Sequence, residues 1–167
     1  IFGAKIHIAP GGSIDVYPAF EEIYDTNFAA DLTVMEESKE FLERLESGEN
    51  LPLFTSCCPG WVKFCENKYP EFRKNISTCR SPQQMFGAVA KTYYAEKMGW
   101  NPEDIYFVSA IPCTAKKFEV GRPDQSAAGV PDVDFAITTR EVGRMINKAG
   151  INFRALEDEK FDEPFGI

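Results

Sequence analysis

Residues 55–61 read Thr-Ser-Cys-Cys-Pro-Gly-Trp, and the adjacent pair Cys57 and Cys58 is the strongest chemical signal in the chain. The pair follows a short apolar run, Leu51-Pro52-Leu53-Phe54, that reads as a buried strand end. It precedes an apolar-periodic segment, Trp61, Val62, Phe64 and Cys65, that reads as a helix. A thiol at the N-terminus of a helix feels a partial positive charge that favours thiolate over thiol. Adjacent cysteines bridge each other only with strain, so these two sulfurs are expected to do different jobs. A second segment, Ile111-Pro112-Cys113-Thr114-Ala115-Lys116-Lys117, repeats the design: apolar strand, Pro-Cys, polar turn. Spacing alone suggests an iron–sulfur or redox site.

Other groups are weighed beside these. Glu37, Glu40 and Arg44 lie at i, i+3 and i+7, and therefore share one helix face. From spacing alone a solvated face is the favoured reading. His7 is the single histidine, and a strand residue with a satisfied ring is preferred over a ligand or base, since no clustered carboxylate or second histidine accompanies it. Cys65 falls on the apolar side of its helix and reads as a small core residue. By itself the Lys116-Lys117 pair reads as solvated surface.

The elements that must position these groups follow from patterning. Lys5-Ile6-His7-Ile8 alternates and ends at Ala9-Pro10-Gly11-Gly12, a strand and tight loop. Gly11-Gly12-Ser13 then leads, as a flexible join, to Phe20–Asp25. Asn27–Leu45 is a helix by the spacing of Leu32, Met35, Leu42 and Leu45, stopped at Gly48. Trp61–Lys68 is a short helix halted at Tyr69-Pro70. Ser77–Pro82 is a polar loop in which Ser81 caps the next helix, with Pro82 first and Gln84 in the capping-box position. That helix, Pro82–Met98, presents Met85, Phe86, Val89 and Tyr93 as its core stripe and closes at Gly99. Ile105–Val108 reads as a strand buried on both faces, delivering Cys113 at the end where open α/β sheets place their sites. Gly121–Pro131 is a loop, Val133–Ile137 a strand, and Thr138 or Thr139 caps a helix over Arg140–Ala149. Leu156–Ile167 is an irregular acidic tail. Strands alternating with helices give an α/β class: an open, mainly parallel sheet with flanking helices.

A chain of 167 residues suffices for one domain and one sizeable core. Its net charge of −8 argues against nucleic acid as a partner. No apolar run is long enough to span a bilayer, and no signal peptide is visible. Five cysteines without a disulfide pattern point to a reducing compartment, hence the cytoplasm.

Together, Thr-Ser-Cys-Cys-Pro-Gly-Trp, Ser81-Pro82-Gln83-Gln84 and Pro112-Cys113-Thr114-Ala115-Lys116-Lys117, in that order, resemble the catalytic domain of iron–iron (FeFe) hydrogenases. The resemblance runs from about Phe20 to the C-terminus, with a weaker match at Lys5–Pro10. It implies reversible reduction of protons to H2 at an H-cluster, a four-iron cubane joined to a diiron unit carrying CO, CN and a dithiolate bridge. Cys58 and Cys113 would ligate the cubane. Cys57 would bind no metal and pass protons, through water, to Glu37, then Ser77 and Glu40, with Arg44 near the surface. Buried carboxylates with raised pKa values would suit that role. Lys116 would reach a cyanide, and Ala9, Pro10, Ser81, Pro82, Gln83 and Ile111 would line the diiron pocket. Ile111 stands where the family usually has methionine, removing a polarizable thioether.

The resemblance also implies four cubane cysteines. Two belong to a later Gly-rich segment without counterpart here, so the chain is expected to be one apparently incomplete domain that needs the remaining half of the catalytic domain. It implies a ferredoxin-like or other redox partner, dedicated maturation proteins, and anaerobic hydrogen metabolism. Three competing readings stand beside it: a hydrogenase-like iron–sulfur assembly factor, a sensory hydrogenase module, and an α/β domain without metal. The assembly relatives lack the first cysteine of the pair, and Cys57 is present.

Overall fold

The computed structural model describes residues 22–166. The strand expected at Lys5–Ile8, the linker at 11–13, His7, and the pocket residues Ala9 and Pro10 lie outside that range. The described residues form two compact units, one of residues 26–86 and the other of residues 22–25 with 87–166.

The first unit opens with α1, Asn27–Ser47, ended by Gly48 in the left-handed conformation at φ 69°. Gly48 adopts that conformation without the Cβ penalty any other residue would meet. The side of α1 that packs inward is unusual. Ala29 and Thr33 are buried, and Glu37, Glu40 and Arg44 are half-buried. These five positions fall within one narrow angular sector of a 3.6-residue period. The apolar stripe used above to locate the helix points the other way: Met35, Leu42 and Leu45 are 69%, 57% and 55% exposed. Carboxylates therefore occupy the face where hydrophobic residues normally sit.

After α1 the expected strand at Leu51–Phe54 reduces to a single parallel bridge between Phe54 and Ile76, and Leu51 is exposed. The two hydrogen bonds of that bridge, Phe54 N–H to Asn75 O (2.8 Å) and Ser77 N–H to Phe54 O (2.7 Å), fix the loop carrying Ser77 against the stretch leading to the cysteine pair. Helix α2, Pro59–Lys68, begins directly after Cys58 and is followed by a 3-10 segment, Pro70–Asn75. Cys65 is fully buried, as its helical position suggested.

Helix α3, Pro82–Val89, continues through a π-helical stretch, Ala90–Tyr94, into α4, Ala95–Met98. A π stretch adds a residue to the turn and moves every later side chain to a different face. This explains a correction: Tyr93, expected in the core stripe, is 52% exposed, and Tyr94 is buried in its place. In the second unit a parallel pair, β1 (Val108–Ala110) and β2 (Phe135–Ile137), aligns Val108 with Phe135 and Ala110 with Ile137. The strand expected to start at Ile105 is paired only from Val108. The polar turn expected after Cys113 is instead a helix, α5, Ala115–Val120. Helix α6, Thr139–Lys148, is capped by Thr138, with Glu141 closing a capping box. The tail is irregular apart from short 3-10 turns, yet Phe165 is buried against Tyr24 and Tyr94. No helix among the described residues is long and apolar enough to cross a membrane.

Candidate active site

In the first unit the cysteine pair sits at the start of α2. Cys58 is the N-cap residue, and its Sγ accepts the Trp61 N–H at 3.4 Å. A sulfur in that position takes up an otherwise unpaired helix donor and meets the positive end of the helix dipole. Both Cys57 and Cys58 are exposed free thiols. Ser81, buried, accepts the Gln84 N–H at 3.4 Å as the cap of α3. Gln83 is also buried, and Pro82 is half-buried beside it. Gln84 is fully buried, and its side-chain amide atoms have no hydrogen-bond partner among the described residues. An unpaired buried amide signals a polar neighbour still to be supplied.

The inward stripe of α1 meets the Ser77–Cys79 turn. Glu40 Oε2 accepts the Ser77 hydroxyl at 2.9 Å and the Cys79 thiol at 3.8 Å. The Thr78 N–H reaches both carboxylate oxygens, at 3.0 and 3.2 Å. Glu40 Oε1 takes Arg44 Nη2 at 2.5 Å. Arg44 is not a mobile surface group. Its side chain is 11% exposed, and it donates to the carbonyls of Asn50, Lys74 and Ile76 as well. Burial pushes the Glu40 carboxyl up, but hydrogen bonds from Ser77, Arg44 and Thr78 outweigh it and leave the group below its ordinary value. The raised carboxyl expected at this position is therefore corrected: the donors around Glu40 favour its anion. Glu37 is half-buried on the same face, with Oε1 enclosed and without a hydrogen-bond partner among the described residues. The structure thus joins Ser77, Glu40 and Arg44 in one bonded chain.

In the second unit, Cys113 is half-buried just past β1. The Ile111 N–H extends the ladder to Ile137 O at 2.9 Å, and the Cys113 N–H turns back to Ile111 O at 2.8 Å. The sulfur thus sits at the carboxyl end of a parallel strand, as expected. Lys116 and Lys117 separate cleanly. Lys117 is exposed and bridges Glu141 at 2.6 Å. Lys116 is buried and its ammonium lies 3.0 Å from the buried Glu119 carboxylate. A charge is kept buried only when it is paired, so Lys116 is not solvated surface.

Sequence reasoning missed several partners. Glu119 is the residue whose carboxylate pairs with Lys116, and its i+3 spacing was the available signal. Cys79 was seen only as a loop residue and Ser56 only as part of the cysteine motif, yet the Ser56 hydroxyl donates to Cys79 O at 2.6 Å. Lys91, 1% exposed, donates to Asp134 Oδ2 at 2.6 Å and Pro131 O at 2.8 Å. Helical patterning had no means of marking that lysine as inward, because the π stretch resets the register.

Among the described residues no group of three or more His, Cys, Asp or Glu side chains could hold a metal ion by itself. Each unit by itself nevertheless carries donor chemistry that suits an iron–sulfur group. In the first, the Cys58 thiol stands at a helix N-terminus, and the unpaired Gln84 amide lies in the first turn of α3. In the second, the Cys113 thiol follows a strand end and the buried Lys116 ammonium suits an anionic ligand.

The family model described as iron only hydrogenase large subunit, C-terminal domain, matches residues 18–167. The NADP-reducing hydrogenase subunit HndD of Solidesulfovibrio fructosivorans is 48% identical over 177 residues, covering 98% of this chain and 30% of that protein. Iron hydrogenase 1 of Clostridium pasteurianum is 48% identical over 147 residues, covering 88% of this chain and 26% of its own length. Cytosolic iron–sulfur assembly component 3 of Mus musculus is 37% identical over 147 residues, covering 84% and 31% respectively. Among solved structures, the apo FeFe-hydrogenase HydA1 of Chlamydomonas reinhardtii superposes with a TM-score of 0.81 at 43% identity, over 89% of this chain and 38% of that one. The chain thus spans well under half the length of each of these proteins. With the matched model covering nearly every residue, the chain belongs to the family of the iron-only hydrogenase large subunit, C-terminal domain.

Proposed function

We propose that the chain forms part of a FeFe-hydrogenase catalytic domain that interconverts protons and H2, with ferredoxin-like or other redox proteins as electron partners and dedicated maturation proteins for its cofactor. The observation that carries this reading is the inverted α1 helix, whose inward face presents Glu37, Glu40 and Arg44, with Ser77 bonded to Glu40. An H-cluster, when bound, would supply the iron site at which protons and electrons from the redox partner are interconverted with H2. Cys58 and Cys113 would hold the cubane part as thiolates. Lys116, paired with Glu119, would offer its ammonium to an anionic ligand. Ser81, Pro82, Gln83 and Ile111 would line the diiron part and exclude water from it.

The proton work falls to the chain's own groups. Cys57 would exchange a proton at Sγ because a thiol ionises closer to neutrality than any hydroxyl. Water would link it to Glu37. Ser77 Oγ, which can both accept and donate, would carry a proton towards Glu40 Oε2. Arg44 would stay charged throughout and hold Oε1. The assembly-factor reading is the second candidate, and the presence of Cys57 favours the hydrogenase one.

The test uses the full-length enzyme reconstituted with iron, sulfide and the diiron unit. Cys58→Ser and Cys113→Ser should each abolish the cubane signal in electron paramagnetic resonance. Cys57→Ser should keep that signal and lose H2 evolution. Loss of the cubane signal in the Cys57 variant, or H2 evolution at the parent rate, would overturn this division of labour.

A further inference from the structure

We infer that Cys79 is a positioning residue of the proposed proton path, holding Glu40, Ser77 and the loop before Cys57 in register. The inference rests on that path. Three atoms of one residue make the three contacts. The thiol donates to Glu40 Oε2 at 3.8 Å, the amide donates to Ser77 Oγ at 3.1 Å, and the carbonyl accepts the Ser56 hydroxyl at 2.6 Å. Ser56 immediately precedes Cys57, so the carbonyl contact ties the start of the path to its far end. Proton transfer through hydrogen-bonded groups is steep in distance and angle. One half-buried residue fixing two members of the path and the residue before a third therefore governs it without itself carrying a proton.

The charged groups facing Cys79 decide what its thiol can do. Glu36, Glu37 and Glu40 approach it from α1, and Arg44 lies across the Glu40 carboxylate. Burial pushes the Cys79 thiol up, the Ser77 hydrogen bond opposes this, and the three carboxylates add to the rise. Cys79 is thereby kept as S–H and acts as a donor to Glu40. It is also a poor nucleophile, which argues against a role as a redox sensor. The amide contact has a separate consequence. Ser77 has one hydroxyl proton, and with a lone pair occupied by the Cys79 N–H that proton is directed at Glu40 Oε2. Removing the thiol strips a donor from Oε2, and a carboxylate that loses a donor binds protons more tightly.

The experiment compares Cys79→Ala and Cys79→Ser in the full-length enzyme. The Glu40 carboxyl is titrated by its infrared C=O band, assigned by its disappearance in Glu40→Gln, and the pH profile of H2 evolution is recorded alongside. Cys79→Ala should raise the proton affinity of Glu40 about three- to fivefold, the factor a weak hydrogen bond supplies. The Glu40-dependent limb of the pH profile should move upward with it. Cys79→Ser, with a hydroxyl donor, should return both midpoints towards the parent values. An unchanged Glu40 titration in Cys79→Ala, or failure of Cys79→Ser to restore it, would overturn the inference. The path itself is judged separately: if Glu40→Gln evolves H2 at the parent rate, the path fails even where Cys79 still tunes the Glu40 band.

Discussion

Replacing Glu40 by glutamine changes one oxygen into an NH2 group and removes the charge, with nearly the same volume. Four donors converge on this carboxylate: Arg44 Nη2, the Ser77 hydroxyl, the Thr78 N–H and the Cys79 thiol. Whichever way the amide is turned, its NH2 meets donors. Facing Arg44, it opposes the guanidinium. Facing the turn, it opposes Ser77 and Cys79. Hydrogen bonds to charged groups contribute about 1.5–3 kcal/mol. Arg44 keeps its three carbonyl acceptors, so the loss of stability should lie near the lower end, about 2 kcal/mol. The effect on catalysis should be far larger. A positioned proton-transfer group is worth about a hundredfold to ten-thousandfold, so H2 evolution from a reduced dye should fall by that much in the full-length enzyme, with cluster spectra unchanged. Glu36→Gln is the control. Glu36 is exposed, turned about 100° from Glu37 on the helix, and its replacement should be mild. Equal damage from Glu36→Gln would refute the reasoning. So would a Glu40→Gln enzyme that loses the expected stability and keeps its rate to within roughly twofold, because the carboxylate would then be a structural anion only.

Three further outcomes follow from particular contacts. A Cβ at Gly87 would lie 2.2 Å from the Asp132 carbonyl oxygen and 2.8 Å from a Val133 methyl. Gly87→Ala gains about 1 kcal/mol of helix propensity and incurs overpacking of about 3 kcal/mol against backbone; urea unfolding should show a net loss, and a more stable variant would refute the close approach. Lys91→Met leaves the part-buried Asp134 carboxylate with the Phe107 N–H but without its ammonium, and stability should drop by about 2 kcal/mol, the scale of a hydrogen bond to a charged group; a neutral result in the same assay would show that the pair contributes nothing. Glu141 is held at about 2, below its ordinary 4.5, by Lys117 and by the Thr138 cap. A depressed carboxyl adds stability above its unfolded value and loses it as pH falls through the folded one, so the advantage of the parent over Glu141→Gln should vanish between about pH 4.5 and about pH 2; a gap unchanged across that window would show that the bonds to Lys117 and Thr138 do not set it.

Much of the fold was legible because its punctuation is local. Gly48, Gly99 and Thr138 end or begin helices for reasons contained within a few residues, and all three do so here. What was illegible depended on distant parts of the chain. The stripe of Met35, Leu42 and Leu45 located α1 correctly, yet spacing does not tell which side faces inward, and the outward side proved to be the apolar one. The π stretch at Ala90–Tyr94 is invisible to a 3.6-residue template, and it exchanged Tyr93 for Tyr94 in the core and drew Lys91 inside. The two lysines after Cys113 have identical local patterns. Only the positions of Glu119 and Glu141 separate the buried one from the exposed one. At the candidate site the types and order of the residues pointed to the family, while the orientation of Glu40 came only from a turn nearly forty positions later.

The two carboxylates on the inward face of α1 have different surroundings, and this bears on how a proton would use them. A carrier that simply stores a proton would be buried with few donors, and burial alone does push Glu40 that way. Its donors reverse the balance, so Glu40 rests as an anion. Its oxygens are not equivalent. Both accept the fixed Thr78 N–H; Oε1 is also engaged by a permanent cation that cannot yield, while Oε2 also faces two donors that can rotate, the Ser77 hydroxyl and the Cys79 thiol. A proton arriving along the proposed path would thus land on Oε2, displace the Ser77 hydrogen bond, and be held briefly against the field of Arg44. Glu37 differs, with one enclosed oxygen, Oε1, that has no hydrogen-bond partner among the described residues. Brief occupancy at the outer station would favour fast release in either direction, as the proposed interconversion of protons and H2 would require. The sign of the Glu40 shift is therefore no argument against a proton-carrying role. It places the thermodynamic step at protonation of Oε2, the atom that Ser77 and Cys79 together control.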